Sequence, residues 1–423
     1  MAATLPGVNT TLIDTYSALE ASRDVFTDRV AIIARTGSSA DADYAHDYDP
    51  RKYMSLQDVR DIHGADSELY EAFFHALYSG CTDIWLVPIP ETAEEDRTED
   101  LNTAYDALYS VRPSIVVPYG RGAQIDIDTD GTITRSVPVF GSSPTFPDGA
   151  YVDSSYAYAS DLAKACDALS SEGRTCIGIL GFYPFSAITA SDIITELGEE
   201  GSPGTALSDL PLTTTFEIDE SEKFLQVVLA EVETAGMGPW PWRSGQTQTY
   251  YRSNGALNYA GTISRLIAHD ATTGKTVQGV SDIAFRIPRT QMLSCIASNV
   301  VAFDVNNGLI RVVDGMTYAD DGSDFERLST VRIAGVVDDM VRRVGQKFIG
   351  KGMNMENRNA LVTGISTGFG NLIKAGALLD ADFKIRFDGP SYTAYVDSLI
   401  IPAWELRRIA LTIKVNFAGT ELT

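Results

Sequence analysis

The chain has 423 residues, 44% of them hydrophobic, and a formal net charge of −24. That is material for two or three packed domains of roughly 150 residues each, and the acidic balance argues against a nucleic-acid partner, which selects a basic footprint. No apolar run approaches the roughly 20 residues needed to cross a bilayer, and the start, MAATLPGVNTTLID, carries neither a basic region nor a hydrophobic segment, so the sequence predicts a soluble protein without a signal peptide, made in a cytosol and not bound to membrane.

The charge is unevenly spread. Residues 330–423 hold 12 Lys+Arg against 9 Asp+Glu, a net of +3, which leaves −27 on residues 1–329. Two regions of such different charge are expected to face different partners.

Residues 4–15, TLPGVNTTLIDT, read as an extended arm. Pro6-Gly7 cannot sit inside a helix and the threonines favour strand, with Val8, Thr10, Leu12 and Ile13 as strand positions. RVAIIAR, from Arg29, is a strand, followed by a loop of small and acidic residues to about Pro50. An α/β rhythm begins there. Ser55 caps a short helix to His63. SELYEAFFHALYS, 67–79, is a helix with Leu69, Phe73 and Leu77 on one face. DIWLVP at 83–88, SIVVP at 114–118 and TCIGIL at 175–180 are buried strands, separated by helices over 94–109 and 153–171. Short continuous apolar strands alternating with helices imply a mostly parallel sheet covered on both faces.

Two stretches interrupt the rhythm. Residues 120–150 contain QIDIDTDGTITRSV, a hairpin turning at Asp130-Gly131. Residues 198–255 are rich in Pro, Gly, Ser and Thr and read as loop, with Trp240, Trp242, Tyr250 and Tyr251 as a loop-anchoring cluster. Helix is then expected over 257–270 and 292–297, and strand over 300–305 and 309–315.

From Val331 the style changes. Val337, Met340 or Val341, Val344 and Phe348 repeat at helical spacing to Ile349. A second helix is predicted over 357–379 with Leu361, Ile365, Phe369 and Leu372 inward. Three strands follow: FKIRFDG, AYVDSLIIP, and RIALTIKVNF. In the last, Ile409, Leu411, Ile413, Val415 and Phe417 alternate with small or polar residues, the period-two pattern of a strand with one buried face.

The motifs that look chemical do not assemble into a site. Gly345 to Lys351, GQKFIGK, resembles a phosphate loop, but Gly352 stands where a hydroxyl must bind magnesium, and the stretch continues a helix. Gly364-Ile-Ser-Thr-Gly368 spells a nucleophile elbow, but no histidine follows Ser366. Asp126, Asp128 and Asp130 begin like a calcium loop, but Val137 occupies the position of the bidentate Glu. His46, His63, His75 and His269 lack metal-ligand spacing. Cys81, Cys166, Cys176 and Cys295 are widely spaced and read as reduced, buried thiols; a bridge formed after release from the cell is the alternative, with Cys166 and Cys176 the closest pair in sequence. The expectation is a protein with no catalytic residues, no metal and no cofactor.

The order of segments resembles the tail sheath proteins of contractile bacteriophages and related injection systems. It is carried by Pro6-Gly7-Val8, by SLQDVRDIHG at 55–64, by SELYEAFFHALYSGCTDIWLVPI at 67–89, by Ala260-Gly261 and Gly279-Val280, by LSCIASNVVAF at 293–303, and by the region from Phe325 through Gly376-Ala377-Leu378 to LTIKVNF.

The resemblance implies a non-catalytic, subtilisin-like α/β region with a mostly parallel sheet, a C-terminal α+β domain, and extended N- and C-terminal β arms. The corresponding divisions are 1–22 for the first arm, 23–329 for the α/β region with insertions at 120–150 and 198–255, 330–405 for a tube-facing domain, and 406–423 for the second arm. It implies a subunit of stacked hexameric rings around a tail tube, part of a virion tail assembled in the host cytoplasm, with further copies of itself, a tail tube protein, and baseplate and tail terminator proteins as partners. The arms would pair with neighbouring copies, and Arg342, Arg343, Lys347 and Lys351 are the candidates for tube contact. A static virion component assembling by strand exchange, or a sugar-binding or enzymatic module built on the Trp240 loop, are the alternative readings.

Overall fold

A computed structural model of the chain describes residues 29–37, 40, 48–65, 67–90, 97–119, 124–127, 133–136, 161–171, 174–182, 223–235, 250–283, 286–287, 289–297, 299–319, 322–352, 354–389, 393–403 and 405. Both predicted arms, 1–22 and 406–423, lie outside the described residues, as do Asp128, Asp130, Trp240 and Trp242.

The first strand, β1 (Val30–Arg35), shows why the body folds as it does. Every residue of VAIIAR is buried, which only a central strand covered on both faces permits. Parallel neighbours flank it: β3 (Ile84–Ile89) with Val30 opposite Ile84, and β4 (Ile115–Pro118) with Val30 opposite Ile115. Beyond β4 come β7 (Ile177–Phe182), β8 (Leu225–Leu229) and β12 (Val300–Asn306), all parallel. The edges are antiparallel: β2 (Arg51–Lys52) beside β3, and β13 (Leu309–Val312) beside β12. The eight-stranded order is β13-β12-β8-β7-β4-β1-β3-β2.

Alternate residues of these strands enter two separate cores. Val30, Ile32 and Ala34 face α1 (Leu56–His63), α2 (Glu68–Tyr78) and α5 (Ala256–Ser264). Ala31 and Ile33 face α3 (Arg97–Ala107), α4 (161–171) and α6 (Arg289–Ala297). The result is three layers, helix on sheet on helix. Outside it, β9 (Glu231–Ala235), β10 (Tyr250–Asn254) and β11 (Asp282–Ile283) form a small antiparallel sheet, and β5 (Gln124–Ile127) pairs with β6 (Ile133–Ser136) as the expected hairpin.

The stretch read as loop, 198–255, holds three of these strands. β8 is LQVVL, buried throughout, in the middle of the main sheet. The Pro- and Gly-rich flanks dominate the composition of the window and mask a five-residue strand with four apolar positions. Other differences are smaller. Helix α5 stops at Ser264 rather than Asp270. Leu77, assigned to the buried face of α2, is 43% exposed.

The glycines that carried the resemblance meet in one place. The Ser79 hydroxyl ends α2 by donating to the His75 carbonyl (2.6 Å) and accepts from Asn258 Nδ2 of α5 (2.8 Å). A Cβ on Gly261 would lie 2.6 Å from the Ser79 carbonyl oxygen, and one on Gly279 would lie 2.8 Å from that of Tyr78. Residues far apart in sequence thus form one joint between α2 and α5, where backbone touches backbone.

Beyond the sheet, α7 (Leu328–Gln346) and α8 (Met355–Lys374) run together, followed by β14 (Leu378–Asp388) and β15 (Thr393–Pro402). Helix α7 belongs to both parts. Leu328, Ile333, Val336 and Val337 are buried in the one core that runs from the body's sheet to α8, whereas 338–346 are only partly buried or exposed. Arg332, wholly buried on this helix, donates to the carbonyls of Leu266 (2.6 Å) and Ile267 (3.3 Å) just past α5. Burial lowers its pKa to about 10. On α8, Leu361, Ile365, Phe369 and Leu372 are the buried residues, the stripe expected from the sequence. Gly364 and Gly368, the would-be elbow, sit on α8 facing Val344 and Met340 of α7, whose side chains would have to shift for a Cβ there. The helix stops at Lys374 because Gly376 takes a left-handed conformation (φ 78°), so Leu378 and Leu379 start a strand instead of ending the helix.

Candidate assembly interface

The hairpin β14–β15 is built from alternation. Ala381, Phe383, Ile385 and Phe387, with Ala394, Val396 and Ile400, point toward α8 and the core. Phe383 stacks on Phe369 at 5.5 Å between centroids, and Arg358 of α8 covers Phe387 at 4.8 Å. The register pairs Ile385 with Val396 and Phe387 with Ala394 on this face.

The outer face pairs Asp380 with Ile401, Asp382 with Leu399, Lys384 with Asp397, and Arg386 with Tyr395. Arg386 lies over the Tyr395 ring at 4.3 Å. Three apolar side chains stand out in solvent near the base: Leu379 (56% exposed), Leu399 (71%) and Ile401 (50%). Among the described residues no third strand pairs with either β14 or β15. Two strands of 11 and 10 residues therefore present two long open edges. A two-stranded hairpin is marginal on its own, and open edges invite another strand. Charges at Asp380, Asp382, Lys384 and Arg386 guard the outer face of β14, but β15 offers Leu399 and Ile401 there.

The chain leaves this hairpin under control. The Ala403 amide donates to the Ala377 carbonyl at 3.0 Å. Glu405 Oε1 accepts from Ser329 Oγ (2.8 Å), and Oε2 from Thr273 Oγ1 (3.3 Å). Thr273 Oγ1 also lies 2.9 Å from Asp314 Oδ1, which accepts from Arg327 Nη1 at 2.7 Å. One hydroxyl hydrogen serves one carboxylate at a time, so Asp314 and Glu405 compete for Thr273. Glu405 thus fixes the base of the hairpin to the body one residue before the predicted arm begins. A lone glutamate after a strand gives no sequence signal for such an anchor.

At the far end of α7, Arg342 pairs with Asp338 (2.6 Å) and Arg343 with Asp339. Arg342 Nη2 also donates to the Ser170 carbonyl of α4 at 3.5 Å. Lys347 and Lys351 are exposed and have no carboxylate partner among the described residues, Lys351 lying over Phe348 at 5.3 Å. Ile349 (72% exposed) and Met355 (73%) flank them. The four predicted tube-facing cations thus divide into an internally paired set and a free set. Val8, Thr10, Leu12 and Ile13, and Ile409, Leu411, Ile413, Val415 and Phe417, lie outside the described residues.

Among the described residues no cluster of three His, Cys, Asp or Glu side chains could hold a metal ion, and no helix is long and apolar enough to cross a membrane. No family model matches the sequence, and no curated protein matches it. Solved structures do. A chain of the anti-feeding prophage baseplate, 6-fold symmetrised, aligns over 98% of this chain and 100% of its own length, with TM-score 0.60 and 13% identity. The contracted helical sheath of the same prophage aligns over 98% and 100%, with TM-score 0.60 and 11% identity. The contracted sheath complex of an extracellular contractile injection system, PVC, aligns over 99% of both chains, with TM-score 0.58 and 12% identity. The chain has the sheath fold. Coverage near the full length on both sides means that the likeness takes in α7, α8 and the hairpin as well as the parallel sheet.

Proposed function

We propose that the chain is a structural subunit of a contractile tail sheath. The observation that carries this reading is a body of sheath fold joined to a hairpin with two long edges that no strand covers among the described residues. In this reading, copies form hexameric rings that stack around a tail tube, and 407–417 of one copy, with Ile409 to Phe417 alternating, adds to a hairpin edge of another. The 4–15 arm of a further copy occupies the other edge. A repeated contact between unlike surfaces that does not close on itself produces a helical array. Triggered at the baseplate, near-rigid subunits shift to a wider, shorter lattice whose new contacts supply the free energy, and the tube is driven through the host envelope. The subunit belongs to a virion tail assembled in the host cytoplasm, capped by a tail terminator. Lys347 and Lys351 are favoured for the tube contact, because Arg342 and Arg343 must first give up their intrahelical pairs.

Negative-stain electron microscopy of the purified chain, alone and with tail tubes, tests the reading. Hollow tubes or sleeves with a regular helical surface are expected, and removing residues 407–423 is expected to abolish them. Monodisperse particles under both conditions would overturn it.

A further inference from the structure

We propose that Cys166 and Cys176 form a latent disulfide site, closed by a small oxidising disulfide when the protein passes from a reducing to an oxidising medium. The proposal does not depend on the sheath reading. The two Sγ atoms lie 3.8 Å apart, in contact but not bonded, one on α4 and one just before β7. Both side chains are fully buried. Cys81 and Cys295, also free and buried, lie in other elements, after α2 and on α6.

Ser170 holds the pair in register. Its hydroxyl donates to the Cys166 carbonyl at 2.6 Å and accepts from the Cys176 amide at 2.9 Å. One side chain therefore ties together the two backbone segments that a disulfide would join. The Ser170 carbonyl also accepts from Arg342 of α7, so the thiols lie beneath the contact between α4 and α7.

The chemistry balances as an exchange. One cysteine loses its proton and its thiolate attacks a sulfur of the oxidant RSSR, expelling RS⁻ and leaving a mixed disulfide. The second thiolate then attacks the protein sulfur of that mixed disulfide and expels the other RS⁻. The two cysteine protons end on two RSH, and the two electrons pass from the cysteines to the oxidant. Both sulfurs are sealed from solvent, and burial pushes the Cys166 thiol well up, so an oxidant cannot reach the folded pair. Exchange therefore passes through opening of the last turn of α4, and once closed the bond holds that turn against β7.

The test uses the full chain, incubated with oxidised glutathione and then alkylated in denaturant. Two of the four thiols are expected to disappear, with a mass loss of about 2 Da and no glutathione adduct. Peptide mapping should find residues 166 and 176 linked. The melting temperature should rise by about 3–6 °C and return on reduction. Ser170→Ala, which loosens the turn, should close the bond faster. Four alkylatable thiols after incubation at the highest urea concentration that preserves the fold, or a stable glutathione adduct, would overturn the proposal.

Discussion

At the scale of single residues, the sharpest expectations come from groups that burial leaves without freedom. His63 is 1% exposed and shares a 2.7 Å hydrogen bond between its Nε2 and the Tyr53 hydroxyl. Burial, with Arg51 nearby, pushes its pKa down from 6.5 to about 4. The unfolded chain therefore takes up a proton below about pH 6.5 that the folded chain refuses until about pH 4. Stability contributed by neutral His63 is complete above that window and drains away as pH falls through it, by about 3 kcal/mol in total. His63→Gln is expected to remove this loss, seen as a shallower fall in urea-unfolding free energy between those pH values; equal slopes in parent and variant would refute it. Two glycines give a matched contrast. Gly261→Ala and Gly368→Ala each gain about 1 kcal/mol of helix propensity. At 368 the new methyl meets the flexible Met340 side chain, which can move aside, and the change should be close to neutral. At 261 it meets the backbone of Ser79, which cannot. There a net loss of about 2–4 kcal/mol is expected by chemical denaturation.

At the scale of elements, legibility follows periodicity. The stripe of α8 and the cap Ser55 could be read from the sequence because one helix face and one hydroxyl determine them locally. Strand β8 could not, because its four apolar residues, interrupted by Gln226, sit between Gly- and Pro-rich flanks and only its partners β7 and β12 identify it as central. Of the candidate interface, the alternation of β14 and β15 was visible, but the anchor at Glu405 was not, since it depends on Thr273 and Ser329, over 70 residues distant. The charge run at 338–351 was visible as charge, while its division into paired arginines and free lysines needed the helix register. The hairpin depends on its inner face to stay seated. Val396→Asp buries a carboxylate opposite Ile385 and is expected to release β14–β15. Limited proteolysis should then cut within 378–402 while the α/β body keeps its main thermal transition; simultaneous loss of both would show that the hairpin is not a separable unit.

At the scale of the whole molecule, the imbalance between +3 on residues 330–423 and −27 on the rest becomes a division of surfaces. In the proposed sheath, the acidic body would serve the solubility of a many-copy assembly, and the cationic end of α7 its attachment to a tube. The double change Lys347→Glu, Lys351→Glu should leave self-assembly into helical particles intact while abolishing decoration of added tail tubes in electron micrographs. Unchanged decoration would remove these lysines from the contact.

Helix α7 carries a mechanical corollary. Its 19 residues span about 28 Å at 1.5 Å each, unbroken, with Arg332 buried in the body and the partly buried Met340 and Val344 facing α8. One continuous helix thus links the body to the hairpin unit. In the proposed sheath, torque applied at the hairpin by a neighbouring copy would therefore reach the parallel sheet through this one helix.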